Sequence, residues 1–445
     1  MKKITYLILL ATIAFSGCTK MLEIEPTASI SDVTAIKDRV GVERAITGAY
    51  NAFQATGLYY RNQILVGDLS ADNLVFTGTT LDYEQISSKL IPADNAIIDG
   101  MWYANYDGIN RVNNVLHRLP EISEISQTER DGFEGQLLFM RAFFHFNLSN
   151  FFGGIPIKTS PTLDLSNIDQ EKNTLEQVYA QAVQDLLDAE QKLPATSAVG
   201  RANAFAATAL LARVYLAQYQ LTNDVAIANL AIEKATNVIN EGGYTLAPNY
   251  ADLFGGTENE GIFKIVFDAQ NRNRLAEYFF PRSLTGRYEV SPSASFLAGY
   301  ETDDTLRKDA SIAYDASNLP YGTKYTDILS GSDAVFVLRL AEMYMIRAEA
   351  RAYSNGDKQS IRDDVNAIRV RAGLQLIDSD DYTTLQLAIE HERQYEFAFE
   401  GQRRFDLVRT KRAVAVLGID QNHTLFPIPL SEFNTNKLMK QNLGY

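Results

Sequence analysis

The sequence predicts a mainly α protein, built from helical hairpins with loop-rich segments between them. Most long segments repeat apolar residues at the 3.6-residue spacing of a helix rather than the two-residue spacing of a strand. Pairs of such segments are separated by short breaks carrying Gly or Asn, where helices commonly stop. The segments that lack the period hold many of the Gly and Pro residues, together with unpatterned Tyr, Phe, Asp and Asn.

In chain order, the first element is a leader. Met1-Lys2-Lys3 precedes an apolar run from Ile4 to Phe15, which is too short to span a bilayer and ends at Ser16-Gly17-Cys18. Residues 1–17 are expected to be a secretory signal. Cys18, the only cysteine in 445 residues, stands where a bacterial lipoprotein signal places its modified cysteine, although Phe15 departs from the usual aliphatic residue three before the cut. A lipidated Cys18 would hold the chain at a membrane surface through several acyl chains, and residues 18–30 would be its tether.

The first clear hairpin pairs Arg201 to Tyr219 with Val225 to Asn240, which stops at Gly242-Gly243. Leu210, Leu211, Val214 and Tyr215 form its stripe, and Ala206, Ala207, Ala209 and Ala212 let neighbouring helices approach closely. Ala212-x-x-Tyr215 followed by Ala231 is similar to the small-then-aromatic spacing of tetratricopeptide helix pairs. A second hairpin is expected from Val335 through Ala352, a break at Asn355-Gly356, and Ser360 to Ala372 before Gly373. A last long helix is expected over Leu385 to Val408, with Ile389, Tyr395, Phe397, Phe399, Phe405 and Leu407 directed to the core. Loops with short strands are expected at Tyr59 to Ala93, Asn150 to Asn173, Tyr244 to Tyr325 and Asp420 to Tyr445, and such loops on a rigid scaffold are where binding residues concentrate.

Charge and composition narrow the function. The formal net charge is −14, and loss of Lys2 and Lys3 with the leader makes it −16. With no basic stripe, a phosphate backbone is an improbable partner. Trp occurs once against 23 Tyr and 23 Phe, so an aromatic recognition surface must lean on Tyr and Phe. His117, His145, His391 and His423 are scattered with no metal-binding spacing, so neither a metal nor a cofactor is expected. Nucleophile-elbow, phosphate-loop and dinucleotide motifs are absent from the sequence. Glu392, Glu396 and Glu400 stand four apart and could suggest a glycosidase carboxylate pair. Arg393, Arg403 and Arg404 nearby would instead favour the ionised carboxylates, and an Arg-Glu lattice fixing the helix is the expected arrangement.

Several separated segments resemble motifs of the SusD/RagB family of Bacteroidetes surface lipoproteins. They are Trp102-x-x-x-Tyr106-x-x-Ile109-Asn110-Arg111-x-Asn113, then Leu138 to Phe146 with Phe151-Phe152-Gly153-Gly154-Ile155-Pro156, and Gly200-Arg201-Ala202 leading into Ala212 to Leu216. The second half adds Leu338-Arg339-x-Ala341-Glu342-x-Tyr344, Asn366-x-Ile368-Arg369-x-Arg371-Ala372-Gly373, and the most specific stretch, Glu392-Arg393-x-x-Glu396-Phe397-x-Phe399-Glu400-Gly401-x-Arg403-Arg404-Phe405-Asp406. The tail Phe426-Pro427-Ile428-Pro429 and Gln441-Asn442-Leu443-Gly444-Tyr445 also fits, with Leu443 in place of the usual proline.

The resemblance implies a tetratricopeptide-like helical-hairpin scaffold with a loop-rich variable subdomain. It implies a SusD-like N-terminal half over 31–243 and a C-terminal half over 244–445 with variable loops and final helices. It also implies a lipid-anchored place on the outer membrane, facing outward, and a SusC-type TonB-dependent transporter as partner. Glycan capture without catalysis is the expected activity, since Tyr and Phe faces stack on sugar C–H surfaces while Asp, Asn and Arg bond hydroxyls. Peptide capture is the alternative within the family, and a glycoside hydrolase is a remoter one. The ligand face is expected to combine Asp68, Asp72, Asn73 and Tyr83 of the first loop, Trp102 and Asn105 at the start of the next helix, and Tyr278, Arg287 and Tyr288 of the central segment.

Overall fold

The computed structural model describes residues 35–162, 168–255 and 258–445. The expected signal at 1–17, Cys18 and the tether at 18–30 lie outside the described residues. Ten helices of eight residues or more are described: α1 (Arg39–Asn51), α2 (Asn62–Leu69), α3 (Ala96–Arg118), α4 (Gln127–Phe152), α5 (Leu175–Lys192), α6 (Ala204–Thr222), α7 (Val225–Glu241), α8 (Leu340–Tyr353), α9 (Lys358–Arg371) and α10 (Tyr382–Glu396).

Helices α3 to α9 pack in sequence order, each against the next, and α10 closes on α8. This is the tetratricopeptide-like row that the hairpins predict. Local sequence starts most of these helices: Ser126 and Glu129 form a capping box on α4, Thr174 and Gln177 another on α5, and Asn203, Asp224 and Asp357 cap α6, α7 and α9. The second half of α4 is buried almost all round and forms the hub of the core. Phe53 stands 4.7 Å from Phe144 and 5.0 Å from Phe143, and Phe139 meets Phe263 edge-on at 5.0 Å. The largest apolar cluster draws on residues from Ile36 to Met439, so both halves of the chain share it.

Among the described residues, six short strands make three antiparallel pairs that tie the variable segments together. β1 (Leu74–Phe76) pairs with β3 (Val290–Pro292), β2 (Gly261–Ile265) with β6 (Val335–Arg339), and β4 (Ile312–Tyr314) with β5 (Pro320–Gly322). The register Leu74↔Pro292 to Phe76↔Val290 welds the first loop to the central segment.

Three elements differ from expectation. Val335 to Ala352 is not one helix: Val335–Arg339 is buried at every position and forms β6, and a short run of β-branched and aromatic residues covered on both faces suits a strand. Leu385 to Val408 is not one helix either, because α10 ends at Glu396 and a separate helix resumes at Arg403–Arg409. Between them Phe399 and Gly401 take positive φ values of 61° and 76°. The turn lets the backbone touch α2, where a Cβ on Gly401 would lie 2.7 Å from the Gln63 carbonyl oxygen. Within the expected loop Tyr59 to Ala93 stand α2 and a helix at Leu81–Ser87. All eight residues of α2 are buried, so it shows no amphipathic period to read.

Candidate ligand-binding cleft

The carboxylates that could suggest catalysis are locked in the interior. Glu392 is bound by Arg307 and Arg369, Glu396 by Arg339 and Arg371, and Glu400 by Arg339 at 2.9 Å and Lys324 at 2.8 Å, all in full burial. The expected lattice is present, but its partners come from distant segments. Arg393 binds Asp406 instead, Arg403 forks onto Asp72, and Arg404 donates to the carbonyls of Ser70, His423 and Thr424. Burial works against ionisation of Glu396 and Glu400, yet the adjacent cations hold both below the ordinary range. Glu392 differs: burial outweighs Arg307 and Arg369 and raises it. His145 is equally structural, pushed down to about 3 by burial, with Nε2 accepting from the Lys158 backbone N–H at 3.2 Å.

A cleft of about 470 Å³ opens where α3 begins. Asn95 caps that helix through the Ile97 and Ile98 N–H groups, and the Asp82 carboxylate accepts from the Ala96 N–H at 3.1 Å. One wall is the first two turns of α3, from Ala96 to Ala104, and the others are Ala55 to Gly57, Arg61 and Asn62, Thr80 to Tyr83, and Tyr278. Gly57 permits the closure, since a Cβ there would lie 2.2 Å from the Gly100 carbonyl oxygen. Tyr103 stands at the mouth, 70% exposed, as a large aromatic ring held by a rigid helix.

At the back of the cleft Tyr83 and Tyr278 meet edge-on at 5.9 Å. The Tyr83 hydroxyl donates to Asn62 Oδ1 at 2.6 Å, and burial pushes its pKa up, so it stays protonated. The Arg61 guanidinium lies over the Tyr278 ring at 4.7 Å and that of Arg287 at 5.2 Å. Arg287 in turn pairs with Glu289 at 3.2 Å.

The expected ligand residues therefore divide. Tyr83 and Tyr278 are brought together in the cleft wall, with Arg287 beside them. Asp68, Asn73 and Asn105 are corrections, because each is buried and spends its polar atoms on the scaffold. Asp68 accepts from Gly401 N–H and from Asn73 Nδ2, and Asn105 joins Met101 O and Asn147. Asp72 is held bidentate by Arg403 at 2.7 and 2.8 Å. Trp102 is also corrected: it is buried against Phe152 at 4.9 Å, and its Nε1–H donates to Glu432 at 3.0 Å beside a different groove. Tyr288 is half-buried at φ 55°, its hydroxyl donating to Pro320 O at 3.0 Å, which braces β3 against β5.

Sequence reasoning missed Arg61, Asn62, Thr80, Asp82 and Tyr103. Tyr103 carried a usable signal, for it falls between the core positions Trp102 and Ala104, off the apolar stripe of α3. Among the described residues no cluster of His, Cys, Asp and Glu is arranged for a metal, and no helix is long and apolar enough to cross a membrane.

A row of helical hairpins presenting a loop-walled cleft at one edge is a tetratricopeptide-like scaffold with a binding site set on it. Two family profiles match the chain in order: "Starch-binding associating with outer membrane" over residues 20–216 and "SusD family" over residues 305–424. The chain belongs to the SusD/RagB family. It is 25% identical to a SusD-like protein of Formosa agariphila, over 99% of this chain and 98% of that one. A solved SusD superfamily protein from Bacteroides vulgatus superposes with a TM-score of 0.83 at 22% identity, covering 92% of this chain and 99% of that one. A solved laminarin-binding SusD-like protein superposes with a TM-score of 0.81 at 23% identity, covering 92% and 100%.

Proposed function

We propose that this protein is a non-catalytic surface lipoprotein that captures a glycan in the Tyr103 cleft and delivers it to a SusC-type TonB-dependent outer-membrane transporter. The exposed Tyr103 ring beside a cleft with a few polar groups in an apolar lining carries this reading. A protruding aromatic on a rigid helix offers a flat apolar face to sugar C–H groups, and Thr80, Asp82 and Arg61 supply directional donors and acceptors around it. The laminarin-binding neighbour and the starch-binding family description point to the same ligand class.

Absence of catalysis is supported by the cleft's carboxylates. Asp82 is the one carboxylate among its described lining residues, whereas glycoside hydrolysis uses an acid and a second carboxylate in opposed environments. In this reading residues 1–17 are removed, Cys18 is lipidated, residues 18–30 tether the body to the outer face of the outer membrane, and 31–243 and 244–445 form its two halves. Affinity electrophoresis against a polysaccharide panel, with a peptide digest in parallel, tests the ligand class. Retardation by at least one polysaccharide, with no shortening of its chains, is the expected result. Binding confined to peptides would reject it. Mild-detergent extraction should bring down a large TonB-dependent transporter, and recovery of the protein alone at native levels would reject the partner.

A further inference from the structure

Arg61 is a half-buried guanidinium that the fold orients but does not neutralise. It lies over Tyr278 at 4.7 Å and near Tyr60 at 5.7 Å, and its Nε donates to Asn62 Oδ1 at 3.2 Å. Among the described residues no carboxylate pairs with it, and the Tyr83 hydroxyl is the further polar group beside the guanidinium. Its charged neighbours are all engaged. Arg274 forks onto Glu277 and Arg287 pairs with Glu289. Glu289 also accepts from the Thr79 and Thr80 N–H groups, and Asp82 from the Ala96 N–H. The cleft thus holds at its wall a guanidinium that no carboxylate of the described residues neutralises.

A guanidinium in that condition matches the two oxygens of a carboxylate or sulfate better than it matches a single hydroxyl. Contact with the Tyr278 ring and the Nε bond to Asn62 hold the guanidinium in place in advance, which lowers the ordering cost of binding. We infer that the cleft selects an acidic glycan, with a carboxylate or sulfate ester seated on the Arg61 fork and a sugar ring laid on Tyr103. This inference rests on the glycan reading above and narrows it to anionic chains. A peptide carboxylate fits the same guanidinium, but the broad exposed Tyr103 face favours a sugar.

Calorimetric titration of the folded protein with matched oligosaccharides tests it. Oligogalacturonate is compared with its methyl ester, and a sulfated galactan oligosaccharide with its desulfated form. At least one acidic member should bind about tenfold or more tighter than its neutral partner, weakening as salt rises. The arm that shows the preference identifies carboxylate or sulfate as the group recognised. Arg61→Gln should erase the preference, weakening the acidic member about tenfold or more beyond any loss for its neutral partner, and Tyr103→Ala should weaken both members. Arg61→Lys keeps the charge and loses the fork, so it should retain only part of the preference, and it serves where Arg61→Gln lowers the melting temperature. Equal binding of acidic and neutral partners, or a preference that survives Arg61→Gln, overturns the inference and leaves glycan capture standing. Binding of acidic peptides alone overturns both.

Discussion

Replacing Tyr103 with Ala separates ligand contact from folding. The side chain is 70% exposed, so little of it packs on the protein. A large aromatic side chain presents about 200 Å² to water when fully open, which leaves roughly 140 Å² here. A sugar stacked on one of two ring faces would cover roughly half of that, about 70 Å². At about 25 cal/mol per Å² this corresponds to about 1.7 kcal/mol, or a loss of about 20-fold in affinity. Stability should barely move, because the packing lost is small and Ala favours the helix by roughly half a kcal/mol over Tyr. The assay is calorimetric titration with the best glycan found, beside a melting curve. An affinity within twofold of the parent, with Tm unchanged, would refute the stacking geometry. A fall in both would mean that Tyr103 supports α3 rather than the ligand.

Other perturbations probe the scaffold and the anchor. Arg339→Met removes a buried cation shared by Glu260, Glu396 and Glu400 and strands their charges, so it should cost about 3–5 kcal/mol in denaturant unfolding, whereas a loss below about 1 kcal/mol would deny the lattice a structural role. Burial raises Asp68 from 3.8 to about 7, so its folded form holds a proton that the unfolded chain has already released; stability from this group is present below about pH 4 and lost as pH rises towards 7. Asp68→Asn should therefore flatten that part of the Tm-against-pH curve, and an unchanged slope would assign it to other groups. Cys18→Ala should move the protein from the membrane to the soluble fraction, and full retention in the outer membrane would show that lipid at this residue is not the anchor.

The helical row was legible because its determinants are local. Capping residues and apolar stripes act within a few turns, so the hairpin of α6 and α7 falls within three residues of its expected ends. Elements defined by neighbours rather than by period were misread: α2 is buried on every side, and β6 exists because β2 covers one edge of it. The break after α10 follows from the approach of α2 to Gly401, which no local pattern announces.

The lattice shows the same division. Its carboxylates could be named from their spacing, yet Arg307, Arg339 and Arg371, which hold them, are drawn from three other segments of the chain. In the cleft, sequence supplied Tyr83, Tyr278 and Arg287 as candidates from aperiodic stretches. Only pairing of β1 with β3 brings those stretches together, across more than two hundred residues. Burial then decided which polar groups were spent: Asp68, Asn73 and Asn105 went to the scaffold, because a polar atom removed from water must find a partner inside. What the sequence determined by itself was a helical scaffold and a family resemblance, both written in short-range patterns. Tertiary structure decided which polar groups line the cleft and which are spent on the scaffold, because hydrogen-bond satisfaction depends on neighbours distant in the chain.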